Sequence, residues 1–173
     1  MKIINLGEKN SLLNRYIAEI RDVVIQKESM RFRRNLERIG EIFAYEISKT
    51  LTYSPKEVET PLGIANCNLS NDKIILSTIL RAGLPLHQGL LNYFDKAENS
   101  FIAAYRKYGK DNKFSIQLEY ASTPSVENKI VIISDPMLAT GASAVLAYDR
   151  LLESGTPIHT HFVCPIASKY GID

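Results

Sequence analysis

The chain has 173 residues, 45% of them hydrophobic and 23% charged. These values suit one domain with a single core, taken as residues 1–173. A net charge of +2 is too small to argue for a nucleic-acid partner, and no run of about 18 apolar residues argues for a membrane span. Cys67 and Cys164 stand far apart, and the opening "MKIINLGEKN" lacks the apolar core of a signal peptide. Neither a disulfide framework nor a zinc site is expected, and a reducing cytoplasm is the default.

Two helices are expected at the start. The first follows Asn10-Ser11, an N-cap pair, and sets Leu12, Leu13, Tyr16, Ile17 and Ile20 on one side. The second is "SMRFRRNLERIGEIFAYEISKTL", in which Phe32, Leu36, Ile39, Phe43 and Ile47 recur at helical spacing. "KEVETPLGIANCNL" reads as two short extended segments around Pro61 and Gly63. "KIILSTIL" is a continuous apolar run, as in a strand covered on both faces. "LPLHQGLLNYF" has helical spacing, "SFIAAYR" reads as a strand, and "KYGKDNK" as a polar turn or mobile loop. "FSIQLEYAS" alternates like a half-exposed strand, and "NKIVIIS" is another buried one. "GASAVLAYDRLLESG" is a helix stopped by Gly155, and "IHTHFVCPIAS" is the last strand. Buried strands alternating with helices predict an α/β fold with a mostly parallel central sheet flanked by helices.

The stretch "VIISDPMLATGASA" carries the chemistry. A buried strand ends at Ser134, then delivers Asp135 into a turn of small residues that opens a helix. In open parallel sheets, ligands sit beyond the carboxyl ends of the strands. Gly141 and its neighbours let backbone N–H groups approach an anion at a helix start, and Thr140 and Ser143 add hydroxyls. Asp135 cannot bind phosphate itself. It could accept hydrogen bonds from the hydroxyls of a sugar attached to that phosphate, or help hold a cation. The bland alternative is a plain strand–turn–helix connection. The loop is neither a P-loop nor a G-x-G-x-x-G fingerprint.

"SDPMLATGAS" closely resembles the phosphoribosyl-pyrophosphate (PRPP) loop of uracil phosphoribosyltransferases, members of the type I phosphoribosyltransferase family. "ILRAGLP" is similar to that family's pyrophosphate loop, and "AAYRK" to the strand end carrying a PRPP-binding arginine. "IRDVV", "FRRNLERIGEIFAYEI" and "VETPLG" are similar to its N-terminal helices and hairpin. Two positions depart from the pattern. Ala142 stands where a second glycine is usual, and Lys107-Tyr108 where an acidic pair follows the arginine.

The resemblance implies a type I phosphoribosyltransferase fold and transfer of phosphoribose from PRPP to uracil, with UMP and pyrophosphate as products. It implies that Arg81 and Arg106 contact the pyrophosphate, with the N–H groups around Ala82 and Gly83. Asp135 would hold the ribose hydroxyls, and these three charged residues form the catalytic set. The loop Pro136, Met137, Leu138, Ala139, Thr140, Gly141, Ala142 and Ser143 would complete the PRPP site. Mg²⁺ is expected to ride on PRPP, with no all-protein metal cage. A GTP activator and a homodimer or higher homo-oligomer are implied as well, with residues 106–121 as a possible exchanged arm. In the family, a Gly-Leu-Gly-Asp segment recognises uracil. That segment is expected beyond Asp173, so no uracil-binding residue is assigned. The alternative is an RNA-binding pyrimidine-operon regulator of the same fold that senses PRPP or nucleotides. Its loop usually has two adjacent acids rather than Asp-Pro.

Other candidates read more plainly. His159 and His161 share a strand face, but no third metal ligand is evident. His87 reads as structural. Arg31, Arg33, Arg34 and Arg38 are interleaved with Glu28, Glu37 and Glu41, as in a solvated or subunit-contacting helix face.

Overall fold

The computed structural model describes residues 2–108 and 114–172, with backbone alone over 104–108 and 114–118. Helix α1, Leu12–Arg21, begins where Ser11 accepts the N–H of Leu13 at 3.2 Å. Helix α2, Ser29–Ser48, buries Leu36, Ile39, Phe43 and Ile47 along one stripe. The hairpin of β1 (Tyr53–Thr60) and β2 (Gly63–Ser70) is longer than its sequence suggests.

The central sheet holds β3 (Ile74–Leu80), β4 (Glu98–Tyr108), β5 (Phe114–Ser122), β6 (Ile130–Ser134) and β8 (His159–Val163) in the order β5-β4-β3-β6-β8. All neighbours run parallel except β4 and β5. The expected mostly parallel α/β sheet is therefore present. The polar turn predicted over 107–113 lies mainly outside the described residues. Helices α3 (Leu84–Leu91) and α4 (Ala142–Leu152) make the crossovers from β3 to β4 and from β6 to β8.

Alternation along β3 explains the layering. Leu76 joins Leu36, Ile39, Phe43, Leu86, Leu90 and Ile132 in the core under α2 and α3. Ile75 and Ile79 join Ile102, Val131, Ile133, Ala147 and Leu151 in the core under α4. Each fully buried Leu or Ile contributes about 1.5–3 kcal/mol. Helices on both faces are what make β3 and β6 buried on both sides rather than alternating, with Ser77 and Thr78 as the buried polar residues of β3.

One expected element is corrected. "IHTHFVCPIAS" is not a single strand: β8 ends at Val163, and Ile166–Ala167 forms a separate two-residue strand, β9. Pro165 has no N–H to continue the ladder. β9 pairs in parallel with β7, Met137–Leu138, inside the loop after Asp135.

Candidate active site

β3 and β6 lie side by side at the centre of the sheet, and the chain leaves them toward opposite edges. The crevice beyond their carboxyl ends is therefore a topological switch point. The register pairs Thr78 with Ser134, the last residue of β6, so β3 runs two residues further before its own loop begins.

The first loop holds Arg81, Ala82 and Gly83. Arg81 and Ala82 are exposed, Gly83 is buried, and the Leu80–Arg81 peptide is cis. A Cβ on residue 83 would come within 2.1 Å of Thr78 Oγ1, 2.8 Å of the Ile79 carbonyl oxygen and 3.2 Å of the Ser134 carbonyl oxygen. Glycine is thus required by close approach, and this is where the two loops meet.

The second loop begins at half-buried Asp135, whose N–H donates to the Val163 carbonyl at 3.2 Å. The Met137 N–H reaches Asp135 Oδ1 at 3.4 Å. Burial raises the Asp135 carboxyl above the ordinary carboxylate range, and that N–H opposes the rise in part. Pro136 is half-buried, Met137 and Leu138 form β7, and Ala139 and Thr140 are exposed. Gly141 takes a left-handed φ of 76° and caps α4 without a side-chain acceptor. Thr140 Oγ1 accepts the Ala142 N–H at 3.5 Å, the limit of a hydrogen bond. Ala142 is already the first residue of α4, and positive φ falls on Gly141. Alanine in place of a second glycine therefore costs no backbone strain. Ser143 follows in the same first turn.

Arg106 lies on β4 opposite Ile116 of β5, three residues past the Ala103–Leu80 pairing. Its backbone is thus on the same side of the sheet as the two loops. Its side chain lies outside the described residues.

Sequence reasoning missed the support behind the second loop. Ser168 donates its N–H to the Leu138 carbonyl at 2.8 Å and its hydroxyl to the Ala139 carbonyl, and accepts the Gly171 N–H at 3.0 Å. A Cβ on Gly171 would lie 2.9 Å from each of those carbonyl oxygens. The signal was Cys164-Pro165, a proline inside a run that otherwise reads as strand. Burial, and next the neighbouring Asp135 charge, push the Cys164 thiol up to about 11 while the Leu138 N–H opposes them, so the thiol stays neutral near pH 7.

The remaining candidates make their side-chain contacts outside the crevice loops, although the His87 N–H donates to the Gly83 carbonyl at 2.9 Å. Arg31 pairs with Glu28 at 2.9 Å and Glu19 at 3.6 Å, and Arg34 pairs with Glu37. Arg38 donates to Asn35 at 3.0 Å and lies over the Tyr16 ring. Three of the four arginines are thus engaged within α1 and α2. The His159 and His161 rings meet edge to face, with centroids 4.5 Å apart. No group of three or more potential metal ligands occurs among the described residues. His87 is buried with Nε2 at 2.8 Å from Asn99 Oδ1, and burial holds its pKa below the usual histidine value. No described helix is long and apolar enough to cross a membrane.

The fold matches that of a hypoxanthine phosphoribosyltransferase from Staphylococcus aureus, with a TM-score of 0.54 at 15% identity over 79% of this chain and 65% of that one. The sheet order and switch-point loops therefore define a type I phosphoribosyltransferase fold. A solved Aquifex aeolicus protein is more similar, with a TM-score of 0.81 and 29% identity over 95% of this chain and 76% of that one. A uracil phosphoribosyltransferase of Porphyromonas gingivalis is 54% identical across 100% of this chain and 80% of its own length. The family model described as uracil phosphoribosyltransferase matches residues 8–173, and the chain belongs to that family.

Proposed function

We propose that the chain transfers the 5-phosphoribosyl group of PRPP to N1 of uracil, giving UMP and pyrophosphate in pyrimidine salvage. The C1–O bond to pyrophosphate breaks, the N1–C1 bond forms, and the N1 proton is lost. The observation that carries the reading is the switch-point crevice, where a small-residue anion loop headed by a carboxylate meets a second loop bearing an arginine.

Charge develops in two places as the C1–O bond breaks. The leaving pyrophosphate gains negative charge, which suits Arg81 and Arg106, because guanidinium stays charged and donates in a fork. The N–H groups near Ala82 and Gly83 add to this. Asp135 accepts from the two ribose hydroxyls and holds the ring as C1 becomes cationic. The 139–143 loop anchors the 5′-phosphate away from the breaking bond, so its binding energy serves positioning.

The crevice loops fit a Mg²⁺ ion carried by PRPP. Asp135 is the one carboxylate on them, with Thr140 and Ser143 hydroxyls nearby in sequence, so most ligands would be substrate oxygens and water. When bound, the ion neutralises part of the pyrophosphate charge. Residues 1–173 are read as a single phosphoribosyltransferase domain working in the cytoplasm. GTP activation is carried over from the family resemblance and gains no support from the paired arginines of α2.

The test is UMP and pyrophosphate formation from uracil, PRPP and Mg²⁺. Absence of both products with a folded protein would refute the reading. Arg81→Lys and Arg106→Lys are each expected to cost about 2–4 kcal/mol of transition-state stabilisation, because lysine keeps the charge and loses the fork. Steady-state kinetics with pyrophosphate inhibition check this. Unchanged pyrophosphate inhibition in both variants would remove the arginines from the leaving-group site.

Self-association belongs to the same proposal. Leu62 and Ile64, at the tip of the β1–β2 hairpin, are 99% and 72% exposed, so an apolar tip on a two-stranded arm is available to a second copy. Sedimentation at increasing concentration is expected to show a dimer or larger species that Leu62→Asp with Ile64→Asp weakens. A monomer throughout would refute it. The arm considered over residues 106–121 lies largely outside the described side chains.

A further inference from the structure

Thr78 stands at the point where the two crevice loops touch. It is fully buried on β3, two residues before the strand ends. Its Oγ1 donates to the Ser134 carbonyl at 3.3 Å. That carbonyl belongs to the peptide unit leading into Asp135, and the N–H of the same unit donates to Val163 at 3.2 Å. The peptide plane that orients Asp135 is therefore held at both ends, by Thr78 on one side and β8 on the other. On its other flank the Thr78 hydroxyl lies under Gly83, where a Cβ would approach it to 2.1 Å. One hydroxyl thus contacts the loop of Arg81 and the backbone of Asp135 at once.

The neighbouring buried hydroxyl differs. Ser77 Oγ donates to Ser100 Oγ at 3.2 Å, and Ser100 continues to Thr123 at 2.9 Å. That chain links β3 to β4 and the segment after β5, and none of its three hydroxyls belongs to a crevice loop.

We propose that Thr78 is a positioning residue for phosphoribosyl transfer, whose hydroxyl sets the spacing between the Arg81–Gly83 loop and Asp135. This rests on the reading that those loops hold the pyrophosphate and the ribose of one PRPP molecule. PRPP spans both, so an error in their separation is felt as weaker binding of the whole substrate and as misplacement of C1.

The experiment compares Thr78→Val, Thr78→Ser and Ser77→Ala with the parent chain. Each is measured by PRPP–Mg²⁺ titration calorimetry, thermal melting and steady-state kinetics. Valine keeps the volume and removes the hydroxyl. Serine keeps the hydroxyl and leaves a methyl-sized void, so it is expected to melt below the valine variant. PRPP affinity is expected to run in the opposite order: about tenfold weaker for Thr78→Val, the worth of one hydrogen bond, and close to parent for Thr78→Ser. Ser77→Ala is expected to lose stability and keep its PRPP affinity. A purely structural threonine would make affinity follow melting temperature across the set, and that result would overturn the proposal. So would a Thr78→Val protein that binds PRPP like the parent. A folded parent that binds no PRPP would overturn the reading of the site together with this proposal.

Discussion

Gly89→Ala is expected to lower the melting temperature by about 10 °C, equivalent to about 3 kcal/mol for a chain of this size. Gly89 sits on α3 where it crosses α2. A Cβ there would lie 1.9 Å from the Glu37 carbonyl oxygen and 2.9 Å from the Glu41 nitrogen. Gly40 is the matching position on α2, with a built Cβ 2.4 Å from the Leu86 carbonyl oxygen. The helices therefore touch backbone to backbone. Alanine is the better helix former by about 1 kcal/mol, which opposes the steric cost without cancelling it. The obstacle is main chain and cannot swing aside as a flexible side chain could. Relief requires α3 to move off α2, and that opens the contacts among Leu36, Ile39, Leu86 and Leu90. Thermal melting of the variant checks this. A melting temperature equal to the parent's would mean that the crossing is looser than these distances describe. Because α3 starts directly after Gly83, the same shift is expected to weaken PRPP binding.

The parts that were legible in the sequence share one property, a pattern imposed by a continuous buried face. α2 repeats its apolar residues because one stripe faces the core, and β3 and β6 are apolar on both faces, apart from the buried hydroxyls of Ser77, Thr78 and Ser134, because helices cover both sides. The loop at Asp135 was legible because its residue types are unusual together and stand directly after such a strand. The hairpin was foreseen but underestimated in length. Neither of its strands holds a fully buried residue, so no alternation marks where they begin and end. The pairing of Met137–Leu138 with Ile166–Ala167 left no local period at all, because it joins two residues to two others far along the chain. Gly83 was read as a supplier of an accessible N–H group. Its steric role against Thr78 and Ser134 depends on a register between strands that sequence spacing does not state.

Asp135→Asn is expected to reduce kcat/KM with PRPP by about 10²–10³ while raising the thermal stability of the free protein at pH 7. The activity loss follows from the proposed contacts. A carboxylate accepts from two ribose hydroxyls, whereas asparagine keeps one acceptor and no charge, and hydrogen bonds to a charged group are worth about 1.5–3 kcal/mol each. The stability gain follows from the opposite side of the same burial. The Asp135 carboxyl is raised above its ordinary value chiefly because the crevice desolvates it. The folded state therefore holds that proton more tightly than the unfolded chain, and stability falls as pH rises from the unfolded value through the folded one. Once the carboxyl is ionised, its desolvation is offset only in part, by the Met137 N–H, until a ligand supplies further donors. Asparagine has no charge to desolvate and can still accept the Met137 N–H that now reaches Oδ1 at 3.4 Å. The stability difference is thus expected at neutral pH and expected to vanish below the ordinary aspartate range, where both side chains are neutral. Melting curves at several pH values, with kinetics and PRPP calorimetry at pH 7, test both halves. Near-normal kcat/KM would remove Asp135 from the ribose site. A variant less stable than the parent at pH 7 would mean that the carboxylate is held by partners in the free protein rather than kept waiting for the sugar.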